Sequence, residues 1–181
     1  MKIIDAQREM RTNFLGGFAG QLVSGFIWLV SSAIWLWTEP RYGMAALFFG
    51  SMAIFPLTQG LLRMLGRSAK TSPENRLWAL GAQIAFTVPI NFLLVGGATL
   101  HHQDWFFPGA MIVVGSHYLP FITLYGMKMF GALAGLLILS GFGIALYLPS
   151  VGYLGGWLTA FTLIIFAFIG RQIVLNEGLK K

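Results

Sequence analysis

Six long, predominantly apolar runs constrain this chain more tightly than anything else in it. They cover roughly Gly16–Trp37, Gly43–Leu65, Leu77–Leu100, Phe106–Gly126, Met129–Leu148 and Val151–Ile169. About 20 apolar residues rising 1.5 Å each cross the ~30 Å hydrocarbon core of a bilayer. Inside lipid every backbone N–H and C=O must find its partner within the protein, which makes helices the natural form for runs of this length. The expected fold is therefore all-α: an integral membrane bundle of six transmembrane helices, one transmembrane domain over residues 1–181.

The connectors leave no room for a soluble domain. They are Thr38 to Tyr42, Arg67 to Arg76, His101 to Asp104, Met127-Lys128 and Pro149-Ser150. Charged residues make up only 10% of the chain, against about 25% in soluble domains. The net charge of +6 would suggest nucleic acid in a soluble protein. Here the basic residues lie between apolar runs, and no basic-aromatic surface remains for a nucleic acid. The absence of cysteine excludes disulfides, thiolate catalysis and Cys-ligated metals. The first run is longer than the apolar core of a cleavable signal and lacks an A-x-A exit, so it is expected to stay as a span.

Basic residues set the expected orientation. Lys2, Arg8 and Arg11 precede span one; Arg63, Arg67, Lys70 and Arg76 surround the second connector. Lys128 occupies the fourth, and Arg171, Lys180 and Lys181 follow span six. The alternate connectors hold only Arg41. This pattern predicts both termini in the cytoplasm. Trp35, Trp37, Tyr42, Trp105, Tyr147 and Tyr153 are expected as outer interfacial anchors, Trp78 and Tyr125 as inner ones, and Trp28 and Trp157 as packing residues.

Residues 1–14 read as a short amphipathic helix. Ile3, Met10 and Phe14 repeat at helical spacing, with Ala6 and Gln7 between them; Asp5, Arg8, Glu9 and Thr12 take the other side. Such a helix either lies at the membrane interface and feeds span one, or docks a cytoplasmic partner. Spans two and four also resemble each other. Gly50-Ser51, Thr58, Arg63-Met64 and Gly66 recur as Gly115-Ser116, Thr123, Lys128-Met129 and Gly131 at an offset of 65 residues. Duplication and chance both remain open there.

Polar residues at depth are the places where function could reside. By helical rise, Gln21, Gln59 and Gln83 all lie roughly 7–10 Å from the inner ends of spans one to three. Three carboxamides at one level form either a hydrogen-bonded layer or the lining of a solute pocket. Asn91 and His117 form a second level, roughly 13–17 Å from the outer ends of spans three and four, near Pro89 and Pro120. An ionisable residue so deep is a functional candidate by default, and its structural alternative is a neutral imidazole paired with Asn91 or a backbone carbonyl. His101, His102 and Asp104 could bind a metal weakly, but adjacent loop residues rarely point at one centre. The motifs Gly16-x-x-x-Gly20, Gly131-x-x-x-Gly135 and Gly152-x-x-x-Gly156 suit close helix packing, within the chain or between copies.

Catalytic templates are missing: the sequence has no H-E-x-x-H, no G-x-S-x-G and no Asp or Glu within a span. The chain is therefore expected not to be an enzyme, with no catalytic, cofactor-binding or metal residue to assign.

The opening, Asp5-Ala6-Gln7-Arg8-Glu9-Met10-Arg11, then Asn13-Phe14-Leu15-Gly16-Gly17-Phe18 and Gly20-Gln21-Leu22-Val23-Ser24-Gly25, resembles an uncharacterised family of small six-pass membrane proteins from Bacillus-like bacteria. The resemblance implies a bacterial cell-membrane location and no activity. A looser, architectural likeness is to the substrate-binding subunits of energy-coupling-factor vitamin transporters, which dock a partner through a small-x-x-x-small first helix. Gly16, Gly20 and Ser24 fit that spacing, although the outer loop is short here. Two functions follow as expectations. One is a small transporter or solute-binding membrane subunit using the polar levels. The other is a structural or accessory subunit of a larger membrane complex. Beyond the lipid bilayer, the expected partners are a second copy or a membrane subunit, with any small-molecule ligand unspecified.

Overall fold

The computed structural model describes residues 1–67 and 70–179. Lys180 and Lys181 of the basic tail lie outside the described residues. Within them are eight α-helices and no strand: α1 Ile3–Asn13, α2 Phe18–Trp37, α3 Pro40–Met64, α4 Leu77–His101, α5 Phe106–Tyr118, α6 Phe121–Tyr125, α7 Met129–Tyr147 and α8 Leu154–Leu179. Six helical stretches, with α5 and α6 acting as one, are long and apolar enough to cross a membrane. The fold is a helical membrane bundle.

Local chemistry explains the boundaries. Asp5 in the first turn of α1 and Arg11 in the last complement the helix dipole. The chain then turns through Leu15, Gly16 and Gly17, all at positive φ (49°, 63° and 83°), before α2 begins. Gly16 is required twice over. It has a left-handed backbone, and a Cβ there would lie 2.8 Å from the Gly170 carbonyl oxygen of α8. Pro40 opens α3 at a position where its missing N–H costs nothing. Gly66, at φ +68°, closes α3: its N–H bonds Arg63 O, and the Arg67 N–H bonds Leu62 O at 2.9 Å. That pair of bonds is a Schellman stop.

Span four is not one helix. The chain makes tight turns at Leu119 and Pro120, where Leu119 N–H bonds Ser116 O and Ile122 N–H bonds Leu119 O. Pro120 lacks a backbone donor and here coincides with these tight turns, whereas α3 and α4 run on through Pro56 and Pro89. At the other end of the chain, α8 continues well past the apolar run to Leu179. Arg171, Gln172 and Glu177 are good helix formers and carry it beyond the hydrocarbon length.

The core is built around α2, α5 and α8. α2 packs on α3 and α8, while α5 packs on α7, α4 and α8. Phe107, Met111, Phe130, Leu133, Leu137 and Leu163 are fully buried between them. α3 and α4, although consecutive, touch only sparingly. Few of their residues are buried, whereas the first and fourth spans are buried along much of their length. Between them, toward the Trp37 end, lies an apolar groove of about 420 Å³, lined by Met44, Phe48, Phe92, Leu93, Gly96 and Phe106 among others.

Two sets of anchors differ from expectation. Trp35 is buried, stacked on Phe106 with ring centroids 6.2 Å apart, because α5 starts directly against the end of α2. Tyr125 is also buried, since α6 packs on α1 and α7. Trp37 and Tyr147 do stand exposed at the helix ends. The segments that looked duplicated fold differently: α3 is one peripheral helix, whereas α5 and α6 are broken and central. Gly66 terminates a helix, while its counterpart Gly131 lies within α7.

Candidate functional site

The three glutamines share a level along the helices but not a space. Gln21 on α2 is buried, and among the described residues neither Nε2 nor Oε1 has a partner. Its Nε2 points toward Gly17, where a Cβ would sit 3.8 Å from it and 3.2 Å from the Phe130 ring. Thr58 Oγ1, also buried and without a partner, faces α2 at Gly20. Gln59 is half-buried, and Gln83 is exposed on α4. The layer is thus divided among an interior, an edge and an outer face. The cause is that α3 and α4 diverge instead of closing round α2.

His117 has a structural partner. Its Nδ1 lies 3.2 Å from the Ile84 carbonyl oxygen, which also accepts from the Thr87 hydroxyl at 2.7 Å. The imidazole therefore ties α5 to α4 just before Pro89. Asn91 is half-buried two turns further along α4 and is not His117's partner. The ring of His117 also meets Phe121 at 5.0 Å. Phe121 in turn packs with Tyr118, Tyr125 and Phe130, at centroid distances of 5.3, 5.6 and 5.4 Å. This aromatic cluster fills the space that the α5–α6 turn opens. None of Gln21, Gln59, Gln83, Asn91 and His117 lines the α3–α4 groove.

In the loop that precedes α5, His102 packs at a tilt against Trp105, with ring centroids 4.6 Å apart. No three described His, Asp or Glu side chains gather at one point. The glycine motifs serve the chain's own packing at several positions. Gly16 abuts Gly170, Gly152 abuts the Asp104 backbone, and Gly156 abuts Ser32 and Phe107.

The densest polar constellation among the described residues lies on α1, which the sequence suggested as an interfacial or partner-docking helix. The Glu9 carboxylate accepts from Ser72 N–H (2.7 Å), the Ser72 hydroxyl (3.0 Å) and Asn75 Nδ2 (2.7 Å). Asn75 Nδ2 also reaches Ala6 O at 3.1 Å. Gln7 Nε2 donates to Thr123 O at 2.6 Å, and Arg11 Nη1 donates to Tyr125 O at 2.6 Å. Arg11 Nε pairs with Glu177 of α8 at 3.1 Å. One short helix thereby joins the α3–α4 loop, α6 and the end of α8. The backbone N–H of Ser72, then the Asn75 amide, hold the Glu9 carboxyl below its usual range against an opposing desolvation effect. Ala6 and Met10, the apolar face, are buried against the chain itself. The signal available in sequence was the charge alternation on α1, but its partners lie more than 60 residues away.

A family model described as a family of unknown function (DUF7010) matches residues 3–174. The chain belongs to this family. The match starts with the first residue of α1 and ends within α8, so it takes in α1 and reaches into all six apolar stretches. No curated protein and no solved structure matches the chain.

Proposed function

We propose that this family member is a non-enzymatic accessory or structural component of a bacterial plasma membrane, with both termini in the cytoplasm. The observation that carries this reading is the filled interior. Phe107, Met111, Phe130, Leu133, Leu137 and Leu163 are fully buried at the bundle centre, and His117 faces a backbone carbonyl. A solute-binding subunit asks instead for polar groups converging on one cavity. The eleven-to-one distribution of Lys and Arg over alternate connectors supports the orientation. The resemblance of residues 5–25 to proteins of Bacillus-like bacteria supports the location.

Among the described residues the amide of Gln21 and the hydroxyl of Thr58 have no partner, which favours a second reading, a bundle that opens at that level to take a polar solute. A thermal-shift screen of the purified protein separates the two, because a ligand of the folded state raises its melting temperature. The accessory reading expects no shift across amino acids, sugars, nucleosides, vitamins and inorganic ions. A saturable shift that Gln21→Leu abolishes would establish the solute reading instead.

A further inference from the structure

The bundle-facing side of α1 runs off the edge of the bundle. Ile3, Gln7, Met10 and Phe14 recur at helical spacing and so share one side of the helix. Along most of its length that side is covered by the chain itself. Gln7 bonds Thr123 O of α6, Met10 is 4% exposed, and Phe14 packs against the core. One turn before Gln7 the cover ends, and Ile3 is 57% exposed. The polar partners of α1 lie at one end of the spans: α6 near its end, the loop that leads into α4, and Glu177 close to the end of α8. The covered side therefore faces along the bundle, toward the membrane. Past the bundle's edge, that side meets the headgroup region of the bilayer.

The groups beside Ile3 suit such surroundings. Asn75 Nδ2 reaches Ala6 O, and the Ala6 N–H bonds Lys2 O, so the start of α4 sits against the first turn of α1. Lys2 and Arg76 flank that junction, both exposed and neither in an ion pair among the described residues. Trp78, the second residue of α4, is partly exposed there, an aromatic placed as an interfacial anchor. Asp5 falls on the far side of α1, with Arg8 and Thr12. Of the eleven Lys and Arg at this end of the molecule, nine remain without Lys180 and Lys181; the carboxylates there are Asp5, Glu9, Glu74 and Glu177. An excess of cations within a Debye length of the surface attracts anionic headgroups.

We propose that the first turn of α1 is a binding site for anionic phospholipid, with Ile3 at the boundary of acyl chain and headgroup and with Lys2 and Arg76 beside the phosphate. The occupant is lipid because the exposed Ile3 continues the side that α1 already lays against the bundle, and because the flanking charges complement a phosphate. The site stands on this overhang alone and is independent of whether the bundle takes a solute.

The chain has no cysteine, so a fluorophore on Ile3→Cys reports from one place, with Thr12→Cys on the exposed side of α1 as control. The full-length protein is placed in nanodiscs of phosphatidylcholine and phosphatidylglycerol, in which one lipid at a time is brominated near the headgroup end of its acyl chains. Lipid should quench the Ile3→Cys label, and aqueous iodide the Thr12→Cys label. At equal lipid fractions, quenching at Ile3→Cys should report a preference for phosphatidylglycerol of about 3- to 10-fold. Adding Lys2→Gln and Arg76→Gln should bring that ratio close to one while quenching by lipid persists and the melting temperature in detergent stays that of the parent. Four results would each overturn the proposal: iodide quenching at Ile3→Cys as strong as at Thr12→Cys, no lipid preference in the parent, a preference that survives the double substitution, or a label shielded from lipid and iodide alike. The last would place a protein on this surface.

Discussion

At Glu9, a backbone N–H, a hydroxyl and a carboxamide all converge on one half-buried carboxylate. Each bond strengthens with the charge on the acceptor, so the α3–α4 loop is held to α1 by ionised Glu9. Because the folded-state pKa is depressed, this stabilisation is complete above the ordinary carboxyl value. It fades as the pH falls through the lower, folded value. Glu9→Ala should cost about 1–2 kcal/mol and make the loop more open to trypsin at Lys70 and Arg76. Acidification of the parent below about pH 4.5 should accelerate the same cleavages in the detergent-solubilised protein, read with an acid-active protease. A parent whose loop cleavage is unchanged by acid would exclude the charge-dependent clamp. His117 has a different role. Its bond to Ile84 O joins two helices inside the bundle, so His117→Leu should lower stability by about 1 kcal/mol without abolishing folding.

Among the elements, the connection from α1 to α2 is the most demanding. Leu15 is a non-glycine residue at positive φ, and Gly16 is pinned against Gly170 of α8. Gly16→Ala should destabilise by about 2–4 kcal/mol through left-handed strain and overpacking. Gly135→Ala on α7, where a Cβ meets nothing within 4 Å, should be neutral or stabilise by up to about 1 kcal/mol. Thermal unfolding of the two variants in one detergent tests the contrast. Most of the elements were legible from apolar run length, because in lipid the run and the helix are the same object. The break at Leu119–Pro120 was not legible, since Pro56 and Pro89 look equivalent in sequence yet lie in unbroken helices. The polar layer was misjudged for a related reason. Depth follows from counting residues, but the direction a side chain faces depends on which helices are neighbours. The separation of α3 from α4 leaves Gln83 outside while Gln21 is buried.

At the scale of the whole molecule, α8 joins an α2–α3 pair to an α4–α5–α7 group, and α1 ties the ends of both together. The result is a bundle with a packed apolar centre, a cleft between α3 and α4, and two thinly covered helices on its edge. Such a body fits a packing role in the membrane better than a conduit. Cysteine accessibility in sealed vesicles tests that account most directly, using a small, membrane-impermeant thiol reagent on a chain with no thiol of its own. Lys70→Cys and Arg41→Cys should label from opposite sides of the membrane. Gln21→Cys and His117→Cys should label from neither. Labelling of Lys70→Cys and Arg41→Cys from the same side would contradict the membrane crossing. Rapid labelling of Gln21→Cys or His117→Cys in the folded protein would contradict the packed interior.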